Sequence, residues 1–355
     1  MKFRGSIFLS VVVAGFLLVA FYPRRAAESA EKDAVLMKLI VSFLDELHFD
    51  PKKMDDGFSE KFYNLYLESL DPSKRFLTLE DVKKLEVYRL KLDEAINSGN
   101  TDFFDLSVGL VESAALKAQG YYREILAQPF DFTANESFET DPEKRVYAKT
   151  DAELKEVWRK ILKYETLSRI MDKEEGLKSA KAGEEAPAST PQLIEEEARK
   201  AVLKAYEEVF SRMMKTKRSD RLNLYLNSFT HVYDPHTDFL EPADKQDFDF
   251  RISGRLEGIG ATLNNVGDFT KVAEIVIGGP AWKAKELEKN DLILKAAQGD
   301  SKEWVDFTGM LTNEVVTHIR GKKGTKVRLM IKKVDGTTKE ISIIRDVIEF
   351  EDTYV

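Results

Sequence analysis

The sequence predicts a multidomain α+β protein: a mainly α-helical N-terminal region followed by a small β-sandwich or barrel with two helices. Three observations predict it. From residue 33 to about residue 230, apolar residues recur at three- and four-residue spacing. In the last third the period falls to two, as in Val327, Leu329 and Ile331, with glycine and Asp-Gly turns between the runs. Between these regimes lies Gly258-Ile259-Gly260-Ala261-Thr262-Leu263, two glycines flanking one aliphatic residue and opening an extended run.

The chain begins with Lys2 and Arg4, an apolar run from Ile7 to Tyr22, and then Pro23-Arg24-Arg25. The run is shorter than the roughly 20 residues a spanning helix needs. Residues 1–30 are therefore expected to be a secretory signal, with the small residues of Ala27–Ala30 at the cleavage site. The paired arginines favour the alternative, an uncleaved inner-membrane anchor. Either way a periplasmic location is expected.

Residues 31–175 form the expected helical domain. Leu36, Ile40, Phe43 and Leu47 make one stripe, and Phe58, Phe62, Leu65 and Leu70 another. Thr78 with Asp81 reads as a capping box opening a helix that carries Val82, Leu85 and Leu92 and ends at Asn97–Asn100. Phe103–Leu126 is a further helix, stopped by Gln128-Pro129, and Thr150 with Glu153 starts another on Leu154, Val157, Trp158 and Ile161. The aromatics read as core; an adaptor-binding face is the alternative. Residues 176–192, rich in Ala, Gly, Glu, Ser and Pro, read as a linker. Residues 193–245 return to helix, with Val202, Tyr206, Val209 and Met213 on one face and Leu222, Tyr225 and Phe229 on the next. The basic run Arg212, Lys215, Lys217, Arg218 reads as a solvated face.

Composition excludes some chemistries. A formal charge of −8 argues against a general nucleic-acid binder, and the lack of cysteine removes disulfides, thiolate metal sites and a thiol nucleophile. His231, Asp234, His236 and Asp238 form the only metal-like cluster. Their spacing matches no helix-borne ligand pair, and Asp-Pro-His-Thr also reads as a hydrogen-bonded turn, so no metal and no cofactor is expected, with a metal hydrolase the remote alternative.

Residues 246–346 carry the β unit. Gly278-Gly279-Pro280 opens a short helix, Ala281–Leu287; Asn290-Asp291 turns into the strand Leu292–Leu294; a helix near Thr312–Arg320 carries Leu311, Val315 and Ile319 with Val316 beside them; and Asp335-Gly336 joins two alternating strands. This order is that of a bacterial PDZ domain. Asp234–Thr237, Leu256–Ala261, Gly278–Ala281, Ile319-Arg320-Gly321 and Lys323-Gly324-Thr325 together resemble the tail-specific proteases, also called C-terminal processing peptidases. Asp71-Pro72-Ser73 and Arg75–Thr78 are similar to the helical N-terminal domain of the larger members.

The resemblance implies a serine endopeptidase with a lysine general base, both after the PDZ domain. No Gly-x-Ser-x-Gly word occurs, and Ser253-Gly254 is read as a loop, so no catalytic residue is assigned in this chain; residues 347–355 are expected to re-enter the protease core. The implied site captures substrate tails: Gly258, Ile259 and Gly260 offer amides to a terminal carboxylate, Ala261 and Leu263 pair with the tail, and Val315, Val316 and Ile319 line an apolar pocket. Hinges are expected near Asp247–Arg251 and Arg345–Glu349. A non-catalytic PDZ scaffold is the alternative.

Overall fold

The computed structural model describes residues 31–179, 190–241, 245, 248 and 255–349, in two compact units that divide between Phe239 and Leu240. Residues 1–30, most of the expected linker, Ser253 and, apart from residue 248, the first expected hinge lie outside the described residues.

The first unit is helical. α1 covers residues 31–47, followed by α2 (Asp56–Leu70), α3 (Leu79–Glu86), α4 (Leu92–Ser98), α5 (Asp102–Leu126), α6 (Asp151–Ser179), α7 (Pro191–Met213) and α8 (Arg218–Thr230). Helix thus occupies both ends of the stretch expected as a linker. Aromatic side chains build the core. Phe62, Tyr66, Phe103, Tyr225 and Phe229 touch edge-on or tilted, and Phe76, Tyr122, Trp158, Tyr206 and Phe210 form a second cluster. Asp71 is buried and accepts the N–H groups of Arg75, Phe76 and Leu77 at 3.1, 3.0 and 2.9 Å. The carbonyl of Arg75 accepts Trp158 Nε1–H at 2.7 Å. These contacts give the Asp71…Thr78 word a physical meaning: one carboxylate folds a loop whose next residues face the core.

Two expectations are corrected here. The buried stripe of α1 is Met37, Val41 and Leu44, whereas Phe43 and Leu47 are 66% and 69% exposed. α1 is apolar around more than half its circumference, so spacing alone does not select the buried face. The helix expected from Thr78 to Asn97 is two helices, broken over residues 87–91. The Thr78–Asp81 capping box is present, and Gly99, at φ +74°, closes α4.

The second unit is an antiparallel sheet with two helices. Among the described residues β1 (Arg255–Gly258) pairs only with β8 (Asp346–Glu349). β2 (Ala261–Val266), β3 (Phe269–Ile275), β4 (Leu292–Gln298), β6 (Lys326–Lys332) and β7 (Thr338–Ile344) form the main sheet in that order, and β5 (Val305–Asp306) pairs with β4. α9 (Pro280–Ala284) and α10 (Thr312–Ile319) complete it. Alternation along β6 and β7 buries Val327, Leu329, Ile331, Ile341 and Ile343 against Val315 and Ile319 of α10. This is the element order of a PDZ domain, so the fold is helical unit followed by PDZ domain. β3 was not foreseen: its signal is the two-residue turn Gly267-Asp268, with Gly267 at φ +59°. α9 is shorter than expected, ending where Lys285 adopts φ +58°.

Candidate functional site

The glycine word forms the loop between β1 and β2, and two neighbours shape it. The Ala281 N–H, at the start of α9, donates to Ile259 O at 2.8 Å, and Val276 N–H donates to Gly260 O at 2.9 Å. Both carbonyls are thereby drawn inward. Gly260 has φ +75°; a Cβ there would lie 3.3 Å from Gly279 Cα and 3.4 Å from Pro280 Cδ. The loop therefore needs glycine twice over, for its conformation and for its close approach to Gly279-Pro280. Ile259 and Gly260 are buried, yet among the described residues no hydrogen-bond partner is found for the N–H of either. Adjacent amides without acceptors are what a bound anion would satisfy.

The strand that follows has an open edge. Because Val276 donates to Gly260, the adjacent pair Ala261–Ile275 is a non-hydrogen-bonded one, and Ala261 turns its N–H and C=O away from β3. A bulge at Thr262/Leu263 keeps the pattern: Val272, opposite Leu263, uses its N–H on Asp291 O and its C=O on Asn290 N–H. Leu263 thus also faces the edge with its backbone. The side chains of Ala261 and Leu263 pack on the domain core from the same face. α10 runs beside β2. Of the three expected pocket residues, Val315 and Ile319 are 0% and 3% exposed and belong to the core, while Val316 is half-buried.

Cationic groups stand near the loop. The Arg320 stem is 3.8 Å from where a Cβ on Gly258 would be. Lys323 pairs with Asp346 at 2.8 Å and holds its carboxyl below the usual range, and the Lys323 N–H reaches Glu257 at 3.3 Å. Arg345 is buried at 3% exposure; its guanidinium donates to Ile319 O at 2.7 Å, His318 O at 3.3 Å, Gln298 Oε1 at 2.7 Å and Thr325 Oγ1 at 3.0 Å. Burial lowers its pKa, and its donors hold the C-terminal end of α10. Sequence reasoning missed Gly279, Ala281 and Arg320 as builders of the loop. All three lie inside the words quoted for the resemblance, but their role depends on contacts between segments distant in sequence.

The histidine cluster is a turn. Asp234 accepts the His236 N–H at 2.7 Å, His231 Nε2 pairs with Asp238 at 2.7 Å, and Thr237 Oγ1 meets His48 Nε2 at 3.1 Å. Among the described residues no group of three ligating side chains could hold a metal ion. No helix among them is long and apolar enough to cross a membrane.

Comparison with known proteins places these features. Residues 40–243 match the family model described as "Tail specific protease N-terminal domain". The chain is 29% identical over 332 residues to the tail-specific protease of Haemophilus influenzae, covering 91% of this chain and 44% of that one. It is 33% identical over 153 residues to the carboxy-terminal processing protease CtpA of Bacillus subtilis, covering 42% of this chain and 31% of the other. The chain thus spans less than half the length of these relatives. The PDZ domain of a carboxy-terminal protease from Vibrio cholerae, solved in complex with a peptide, is 37% identical over 27% of this chain and 99% of its own, with a TM-score of 0.26.

Proposed function

The chain belongs to the tail-specific protease family, and from that premise we propose that its PDZ domain captures the C-terminal tails of substrate proteins for a serine-type endopeptidase. The observation that carries this is that Ile259 and Gly260, at the head of an open strand edge, have no hydrogen-bond partner for their N–H groups among the described residues. A terminal carboxylate supplies the acceptors those amides lack, the tail adds to β2 through Ala261 and Leu263, and Val316, over a floor of Val315 and Ile319, takes its last apolar side chain.

Cleavage itself belongs to a serine and lysine that the family carries after the PDZ domain; no catalytic residue is assigned in this chain, which alone binds tails without cutting them. Residues 1–30 direct export to the periplasm or anchor the chain at the inner membrane, and the helical unit offers the surface for an adaptor. Tail binding assembles the active site only insofar as the tail binds one conformation better than another.

The test is a titration of the chain with one apolar-ended peptide in two forms. The free acid should bind at least tenfold tighter than the C-terminal amide. Equal affinities would refute carboxylate capture, and peptide cleavage by this chain alone would refute the assignment of catalysis elsewhere.

A further inference from the structure

We propose that α1 is a self-association surface, on which a second copy of this chain docks as an antiparallel helix pair with its two-fold axis at Leu39. The face of α1 turned away from Met37, Val41 and Leu44 is apolar and open. Val35 and Leu39 are 54% and 56% exposed, in line with Phe43 and Leu47. Side chains spaced by four form a ridge on a helix, of the kind that seats in the groove of another helix. A contiguous exposed apolar patch rimmed by polar residues marks an interaction site.

The order of residues along this face selects its partner. Lys32, Val35, Leu39, Phe43 and Glu46 fall within an arc of about 80° at 3.6 residues per turn. Their spacing is symmetric: Val35 and Phe43 lie four residues either side of Leu39, and Lys32 and Glu46 seven. A two-fold contact is self-complementary, with residue i meeting j and j meeting i. Two antiparallel copies centred on Leu39 therefore set Leu39 against Leu39, Val35 against Phe43 and Lys32 against Glu46, the last two pairings each formed twice. Both charges are exposed. They lie about 10 Å along the axis from the centre, where long side chains can span the roughly 8–10 Å between paired helices. Parallel copies would instead bring lysine against lysine and glutamate against glutamate. A lipid surface fits less well, because the bordering residues Lys38, Asp45 and Glu46 are not the cationic face of a helix that lies on an anionic membrane. One helix pair of about 25 Å buries less than the roughly 800 Å² per partner of a standard interface, so the dimer should be of only micromolar strength.

The experiment is sedimentation equilibrium of the full chain and its variants at low salt, where surface charges are least screened. The unaltered chain should dimerise, and Leu39→Asp should weaken the dimer at least tenfold as two carboxylates meet at the axis. Lys32→Glu and Glu46→Lys should each weaken it at least threefold. Mixed one to one, those two variants should recover the affinity of the unaltered chain, because both cross-pairs then join opposite charges. A loosened fold, or association through residues 1–30, does not produce that recovery. The chain has no cysteine, so single thiols map the axis. Leu39→Cys should cross-link to itself on oxidation, whereas Val35→Cys should cross-link to Phe43→Cys and not to itself. A chain that stays monomeric overturns the proposal, and the stripe then serves a lipid or a different protein. Dimerisation that Leu39→Asp leaves unchanged overturns it too, as does a mixture of the charge variants that associates no better than either alone.

Discussion

The two units of this chain handle their backbones in opposite ways. The helical unit satisfies its backbone within its own helices and fills its interior with rings, down to Tyr225, whose buried phenol has no hydrogen-bond partner among the described residues and is pushed well above its usual pKa by desolvation. The sheet unit leaves an edge strand unpaired and two amides without acceptors. A helix closes its own hydrogen bonds, whereas a strand needs a neighbour. A chain end that is to be gripped finds backbone partners only in the second arrangement.

The largest expected effect tests whether the units are independent. Trp158→Ala removes a ring in contact with Phe76, Tyr206 and Phe210, and should cost the helical unit about 3–5 kcal/mol in urea unfolding followed by circular dichroism. Tail affinity should stay within twofold. A parallel loss of affinity would show that the contrast between the units is not one of independent parts.

A smaller effect sharpens the other side. Gly260→Val forces a β-branched residue to φ +75° against Gly279, costing the sheet unit about 1–2 kcal/mol. Tail affinity should fall at least tenfold while unfolding of the helical unit is unchanged. Affinity retained in a folded variant would disprove the role of the loop.

The smallest effect concerns a seam in the helical unit. The Glu136 carboxylate accepts from Arg159 and Lys163 of α6, which hold its pKa down to about 2. A depressed carboxylate stabilises the folded form above its ordinary value of 4.5 and loses that contribution as pH falls toward 2. Residues 131–145 should loosen from α6 over that window. A fluorophore on Ser137→Cys, the sole thiol of such a variant, should lose anisotropy as pH falls, and Glu136→Gln should show the loss at neutral pH. Constant anisotropy down to pH 2.5 would assign the seam to other contacts.

Much of this was legible from spacing. Thr78, Asp81, Gly99, Asp335 and Gly336 act on neighbours within a few residues, so their turns and caps can be read locally. The run Val327, Leu329, Ile331 shows its face because charged residues separate it. α1 does not, since Phe43 and Met37 are equally apolar and only tertiary packing chooses between them. At the site, Gly258–Gly260 announced a loop and α10 a wall. The amide of Ala281 and the closeness of Gly279 join segments about 20 residues apart, and no local pattern encodes them.

The pairing of β1 with β8 sets Arg255 opposite Glu349, so the PDZ domain's first and last strands lie side by side. Neighbouring strands are about 5 Å apart. A host chain interrupted at one peptide bond could therefore accept the whole module as a plug-in, its flanking ends still close enough to meet. Exchange of such cassettes between hosts would alter which tails are chosen without redrawing the scaffold that receives them.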